Sequence, residues 1–403
     1  MKNTENNINV QKTKKTNYSP QSGSIVFMLA LFLPTVVTSI YALIVRDVYQ
    51  NDFTYYFALA LMQLTFFAIY FAYNKLGEYD AIKCSKIKFN LNILQVLLIV
   101  AISLIGLYSF SPLVNLYQGL LQKWGYSATF SHLNLSNFGY FILNICIVGI
   151  LPCICEELIF RGVILNSYSK YKKWVGVVLS AVMFMIMHLS IDQTIYQLFL
   201  GVILALVVME TGSIFSSIIL HGVNNIVILF TNYIYNINGV STSGGYDFTP
   251  WNCIYPILLA ILGAIICVLL IKLVGKLNGK KVFKNFKFYE TESQQSNKTL
   301  NCDVTINETE SQQLITTDDC KNDEKDDCHK KEDIIDFIQS QNGNVVNNKK
   351  VEKTNETYSQ LGKQENFNES SKLKGLSQGS SDAYWIILGL AFGVIMWIVS
   401  VIL

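Results

Sequence analysis

Charge is scarce in this 403-residue sequence: only 15% of the residues are Asp, Glu, Lys or Arg, whereas 51% are hydrophobic. The hydrophobic residues are grouped in long blocks, and about 20 consecutive apolar residues are what a helix needs to cross a bilayer. These features exclude an ordinary soluble domain. They predict an all-α fold, a polytopic transmembrane helix bundle with about eight core helices.

Paired cysteines and histidine clusters are also lacking. The nine cysteines show no paired spacing, so the sequence predicts neither a disulfide framework nor a zinc knuckle. Cys320, Cys328 and His329 lie close together, but their spacing is poor for metal ligands. Only four histidines occur, and two of them, His188 and His221, lie within apolar blocks.

Apolar blocks occur before and after a long polar stretch. They cover residues 24–45, 55–73, 91–110, 138–165, 174–190, 195–209, 214–235, 253–274 and 385–403. The first block is interpreted as a transmembrane helix, because it is longer and farther from the first residue than the apolar part of a signal peptide. The short amphipathic segment 114–124 is expected to lie in the membrane interface.

Lysines are unevenly distributed among the loops. They are concentrated in residues 1–23, 74–90, 166–173 and 275–288, whereas residues 236–250 contain neither Lys nor Arg. Basic loops remain in the cytoplasm. The pattern therefore predicts a multi-pass protein of the cell membrane with a cytoplasmic N-terminus.

Composition divides the chain into four parts. Residues 1–23 are predicted to be a polar cytoplasmic N-terminus, and residues 24–276 a transmembrane bundle. Residues 277–382 are rich in polar and charged residues and are predicted to be a disordered hydrophilic insert, because they cannot bury enough apolar surface to fold. Residues 383–403 are predicted to be a C-terminal transmembrane helix.

Two adjacent carboxylates and an arginine interrupt the fourth apolar block, as Glu156, Glu157 and Arg161. Charge within the membrane is rare and usually functional. Glu157 and Arg161 are four residues apart and can pair on one helix face, whereas Glu156 points about 100° away. Glu156 is thus left without a local partner, which suits a general base.

Two further blocks each contain a polar cluster. Phe184 and His188 are four residues apart, as are His221 and Asn225, so each pair shares a helix face. Polar clusters on three helices are typical of a site inside a helix bundle. Each cluster alone also has a structural explanation, as an ion pair or as interhelical hydrogen bonding.

Together the clusters resemble the CPBP family, the CAAX prenyl endopeptidase and bacteriocin-processing intramembrane proteases, also called the Abi family. The family's three motifs occur in order: Glu-Glu-x-x-x-Arg at 156–161, Phe-x-x-x-His at 184–188 and His-x-x-x-Asn at 221–225. Gly162 after the arginine is also similar. The resemblance covers about residues 138–235, the predicted core of the bundle.

The resemblance implies an intramembrane endopeptidase. Glu156 and His188 would activate a water molecule, with Glu156 as the base. His221 and Asn225 would donate hydrogen bonds to the developing oxyanion. The supporting residues would be Glu157, Arg161 and Phe184.

The expected mechanism requires no cofactor, although a divalent metal such as zinc remains an alternative. Glu156, His188 and His221 would be the ligands, with water in the fourth position. Asn225 favours the metal-free version, because a neutral amide suits an oxyanion better than zinc. Cys155 is a poor candidate nucleophile, because the neighbouring carboxylates disfavour a thiolate.

The expected partners are the lipid bilayer and a membrane-bound substrate, not nucleic acid. Candidate substrates are prenylated CAAX-like tails and pheromone or bacteriocin precursors. Two other functions are open: a non-proteolytic scaffold that regulates a partner membrane protein, and a transporter. The transporter predicts broken helices in two related halves, and one candidate break is present, at Pro152.

If each apolar block is one straight helix across the membrane, two of the site residues lie at different depths. Glu156 falls near the cytoplasmic end of its block and His188 near the outer end of the next, and a helix rises about 1.5 Å per residue. We therefore expect a long, tilted fourth helix, broken or kinked at Pro152, and a shorter fifth helix.

Overall fold

The structure, a computed structural model, describes residues 13–46, 48, 50–126, 133–240, 245–278 and 382–399. Within these ranges the chain forms helices and no β-strand. The helices are α1 Pro20–Val45, α2 Asp52–Leu76, α3 Ala81–Cys84, α4 Ile93–Lys123, α5 Phe138–Tyr168, α6 Lys173–Met187, α7 Thr194–Thr211, α8 Phe215–Ile237, α9 Pro250–Leu277 and α10 Asp382–Val399.

Eight of the described helices are long and apolar enough to cross a membrane. The two exceptions are α3, a single turn, and α6, which is apolar but has only 15 residues. The predicted all-α, polytopic bundle is confirmed, and α10 is the extra C-terminal helix. The protein is therefore a multi-pass membrane protein.

The predicted hydrophilic insert, 277–382, lies outside the described residues except at its two ends, and so do Cys320, Cys328 and His329. The polar N-terminus is described from residue 13. Its Tyr18 is buried and donates a hydrogen bond to Asn74 over 2.6 Å.

α5 is a continuous helix of 31 residues with two π-helical segments, Ile145–Ile150 and Leu158–Ile164. Pro152 follows the first of them. A proline inside an α-helix removes a hydrogen bond and collides with the carbonyl four residues earlier, and the wider π turn makes room for that ring. The break expected at Pro152 is therefore absent. π segments often occur at functional sites.

The segment 114–124, predicted to lie in the membrane interface, is not a separate element. Residues up to Lys123 continue α4, a helix of 31 residues. Its last turns are covered by another part of the chain: a Cβ on Gly119 would lie 2.4 Å from Cβ of Tyr246. The segment therefore packs against protein on one side, and its last residues, 122–124, are exposed.

The core is centred on the second half of α5. Residues 158–165 are all buried, and this stretch packs against α1, α2, α6 and α7. At its end, the hydroxyl groups of Tyr168 and Ser24 in α1 lie 2.7 Å apart. Because α5 is enclosed on every side at this level, its charged residues face protein and not lipid.

Candidate active site

Two glutamates of α5 lie inside the bundle. Glu156 is 5% exposed and Glu157 is fully buried. They immediately precede the π segment Leu158–Ile164, which contains the fully buried Arg161. Since a charged group inside a membrane protein is costly unless it is paired, the partners of these side chains determine what the cluster can do.

Arg161 neutralises Glu157. Its Nη1 donates to Oε1 of Glu157 over 2.7 Å, so the pair predicted from the spacing is confirmed. Its Nη2 donates over 3.2 Å to the carbonyl of Gly201 in α7. A Cβ on Gly201 would lie only 2.9 Å from Cα of Ala181, so the glycine is what lets α7 approach α6 here. The arginine therefore ties α5 to α7.

His221 from α8 binds the same carboxylate. Its Nδ1 lies 3.1 Å from Oε1 of Glu157. Sequence reasoning paired Glu157 with Arg161 alone and missed this contact. A carboxylate bonded to one ring nitrogen orients the imidazole and fixes which nitrogen remains. The nitrogen left for chemistry is Nε2.

Phe184 from α6 lies between both histidines and the arginine. Its ring centre is 5.0 Å from that of His188 and 5.8 Å from that of His221, edge to face in both cases. The guanidinium carbon of Arg161 is 4.4 Å from the same centre, within the cation–π range. Helices α5, α6 and α8 therefore meet at this ring.

His188 follows the last residue of α6. Its Nε2 is buried and has no hydrogen-bond partner in the described part of the chain. The next residue, Leu189, has a φ of 48°, a left-handed conformation that is uncommon for residues other than glycine. The chain thus turns sharply after His188 and leaves one ring nitrogen available to a bound molecule.

Glu156 makes a different contact. Its Oε1 accepts a hydrogen bond from Nε2 of Gln63 in α2, over 3.2 Å. The two adjacent glutamates therefore have separate surroundings: Glu157 binds two cationic or ionisable groups, whereas Glu156 binds a neutral amide.

Residues 138–227 match the model of a protein family described as Type II CAAX prenyl endopeptidase Rce1-like. The predicted resemblance to the CPBP family is confirmed. The matched region, which we call the CPBP-like core, contains all three motifs. No curated protein and no solved structure is significantly similar to the chain. The match supports a protease of the CAAX prenyl endopeptidase type.

Asn225 of the CPBP-like core is half-buried and lies at the end of a hydrogen-bond chain. Its Oδ1 accepts from Nδ2 of Asn224 over 3.3 Å, and Oδ1 of Asn224 accepts from the hydroxyl of Tyr196. Because the tyrosine donates, each amide has its oxygen towards the preceding donor. The N–H groups of Asn225 are thereby directed away from Asn224.

The alternative prediction, a zinc site in the CPBP-like core, needs Glu156, His188 and His221 to converge on one point. In the described ranges no group of three His, Cys, Asp or Glu side chains is placed to hold a metal ion. His221 binds Glu157 through Nδ1 and keeps Nε2, and Oε1 of Glu156 accepts from the amide of Gln63. The arrangement suits proton transfer and hydrogen-bond donation within the protein.

Sequence reasoning missed three polar residues beside the motifs: Gln63, Tyr196 and Asn224. Gln63 carried a usable signal, because it interrupts the second apolar block and shares a helix face with Tyr56, Phe66 and Tyr70. Tyr196 carried no such signal, because tyrosine is common at membrane interfaces. Asn224 carried none either, because the motif already includes its neighbour, Asn225.

Proposed function

We propose that the protein is an intramembrane endopeptidase that hydrolyses a peptide bond in a membrane-associated substrate by a metal-free mechanism. The preferred substrate class is a prenylated CAAX-like C-terminal tail, and a hydrophobic pheromone or bacteriocin precursor is second. One observation carries the proposal: a glutamate outside the buried ion pair lies in the same cluster of helices as two histidines joined through Phe184.

Glu156 is the proposed general base. It takes a proton from a water molecule whose oxygen attacks the scissile carbonyl carbon. His188, whose Nε2 has no partner among the described residues, holds that water in line. As the carbon–nitrogen bond breaks, Glu156 returns the proton to the leaving nitrogen, so the reaction consumes one water and no other reagent. Such acid–base steps typically contribute about 100- to 10,000-fold in rate.

His221 and Asn225 are the proposed oxyanion donors. Glu157 holds Nδ1 of His221, so Nε2 is the atom that would donate. The Tyr196–Asn224 chain orients the amide of Asn225 so that its N–H groups are free to donate. One such donor is worth about 3 kcal/mol in the transition state.

The proposed orientation places the N-terminus and the lysine-rich loops in the cytoplasm. A prenylated tail reaching the protein from that side would enter with its lipid in the bilayer. The proposed domain boundaries remain those inferred from composition, at residues 23, 276 and 382.

The test uses the full-length protein in proteoliposomes and three quenched-fluorescent peptides: a farnesylated CAAX tail, the same tail without the lipid, and a hydrophobic leader peptide. We expect the wild type to cleave the farnesylated tail fastest and Glu156→Gln to cleave none. Cys155→Ala is the matched control at the adjacent buried position and should retain activity. A zinc chelator should change the rate less than about twofold, the scatter of such assays.

A non-proteolytic scaffold predicts the opposite result. The wild type would then cleave none of the three peptides, and Glu156→Gln would leave its membrane function unchanged. Cleavage that is equal in the wild type and in Glu156→Gln would remove Glu156 from the mechanism.

A further inference from the structure

Gln63 is a primary amide in the middle of an apolar helix. It lies on the inward face of α2 and is 3% exposed. A polar side chain in this position carries a desolvation cost that only hydrogen bonds offset. Its bonding therefore indicates why an amide is present here.

Only the N–H side of the Gln63 amide is hydrogen-bonded within the site. Nε2 donates to Oε1 of Glu156 over 3.2 Å, whereas Oε1 of Gln63 is buried without a partner among the described residues. Nε2 of His188 is likewise buried without a hydrogen-bond partner among the described residues. Buried polar atoms are nearly always satisfied by protein or by an ordered molecule. An unpaired acceptor on the amide that binds the Glu156 carboxylate indicates that a polar molecule binds here.

Arg161 does not serve Glu156 in this way. Its Nη1 is committed to Glu157 and its Nη2 to the carbonyl of Gly201. The hydrogen bond from Gln63 is thus an orienting contact to the proposed base that comes from a different helix, and it carries no charge.

We propose that Gln63 is a positioning residue for Glu156. By holding Oε1 of the carboxylate, its N–H directs Oε2 to the attacking water. Its own carbonyl oxygen accepts a hydrogen bond from that water, which aligns the second hydrogen. This inference rests on the proposed function and names a residue outside the CPBP-like core, which begins at residue 138.

The competing explanation is structural: the amide would simply join α2 to α5. Interhelical hydrogen bonds of this kind are common in membrane bundles and are worth about 0.6 kcal/mol on average. The two explanations predict different effects of replacing the Gln63 side chain. If the role is structural, loss of the amide lowers the melting temperature and leaves kcat of the folded enzyme unchanged. If Gln63 positions Glu156, loss of the N–H lowers kcat.

Two variants separate these explanations. Gln63→Met keeps length and volume but has no donor. Gln63→Asn keeps the amide but withdraws it by one methylene, about 1.5 Å, beyond hydrogen-bond reach of Glu156. Gln197→Met is the matched control. Gln197 is another buried glutamine with an unpaired Oε1, and its Nε2 bonds Gln193, the residue before α7.

The measurements are kcat, KM and the melting temperature in proteoliposomes, with the farnesylated peptide as the probe. We expect kcat to fall about 10- to 100-fold in both Gln63 variants, the range for losing one charge-assisted hydrogen bond. KM should change less than about threefold, since substrate binding is not altered. The melting temperature should fall only in Gln63→Asn, which leaves a cavity, and Gln197→Met should keep kcat.

A kcat of Gln63→Met equal to the wild type would overturn the inference and leave the proposed function intact, provided that Glu156→Gln is inactive. A kcat that falls only in step with the melting temperature would assign Gln63 a structural role. If the wild type cleaves no peptide, both proposals fail, because no base would then need positioning.

Discussion

Two buried polar clusters in this bundle differ in how completely their hydrogen bonds are made. The first, which we call the hydroxyl cluster, comprises Tyr18, Tyr70, Asn74 and Ser85. It contains no charge, and none of its buried side-chain atoms is without a partner. The second is the candidate active site, where buried atoms of Gln63, Arg161 and His188 have no partner in the described residues.

The contrast separates stabilising polar groups from reactive ones. A fully satisfied neutral network fixes one arrangement of helices, and nothing is left to bind. In a partly satisfied network the unpaired atoms cost free energy while the site is empty. That cost is removed when a substrate or a water molecule makes the missing hydrogen bonds. By this criterion the hydroxyl cluster fastens the N-terminal segment to α2 and α3, and the unpaired groups around Glu156 serve a reaction.

After the loss of Glu156 itself, the largest effect should come from His188→Gln. Glutamine has a similar reach but cannot replace imidazole in holding and polarising the water. We expect kcat to fall at least about 100-fold, as for loss of an acid–base group, with little change in melting temperature. Retention of more than half of the activity in the proteoliposome assay would place His188 outside the reaction.

Glu157→Gln should affect folding more than Glu156→Gln does. It removes the charge that Arg161 and His221 share, and an orphaned buried cation costs about 3–5 kcal/mol. The expected result is a markedly lower melting temperature and lower abundance, measured in detergent on matched preparations. The comparison between the clusters would be weakened if the two variants proved equally stable.

Tyr196→Phe and Tyr70→Phe should have smaller effects, which differ in the property that changes. Each removes one hydroxyl and no volume, at a cost of about 1 kcal/mol. In Tyr196→Phe the loss should appear as about a fivefold lower kcat, because Asn225 loses its orientation. In Tyr70→Phe it should appear as a lower melting temperature with kcat intact. The same readout for both variants would argue against two kinds of cluster.

Deleting residues 290–379 should have the smallest effect. This stretch lies outside the CPBP-like core, and we expect kcat and KM to stay within about twofold of the wild type, since no motif residue is removed. Loss of cleavage on deletion would assign the insert a part in the reaction.

The sequence predicted the bundle and the Glu157–Arg161 pair because both depend on local patterns. Apolar blocks of sufficient length define membrane helices, and a spacing of four residues defines one face of a helix. At Pro152 the sequence predicted a break or a kink. The helix is long, as predicted, and it is unbroken at Pro152, which follows a π segment.

The remaining contacts required tertiary information. In a soluble helix the apolar face indicates which side is buried, but lipid makes the outer face of a membrane helix equally apolar. The pattern of α2 can mark Gln63 as inward-facing, but it does not show which neighbouring helix that face meets, so the contact with Glu156 could not be derived. The contact of His221 with Glu157 likewise joins helices that are 64 residues apart.

The shortness of α6 bears on how hydrolysis obtains its reagent. Fifteen residues rise about 22 Å, and the hydrocarbon layer is about 30 Å thick. A helix of this length does not reach across that layer, and His188 follows its last residue. Beyond it the turn Ser190–Asp192 is held by the hydroxyl of Tyr117 in α4, which donates to the carbonyl of Ile191 over 2.8 Å. The imidazole is thus followed by the polar groups of Ser190 and Asp192 instead of another turn of apolar helix, and these groups can hold water where a lipid-facing helix cannot.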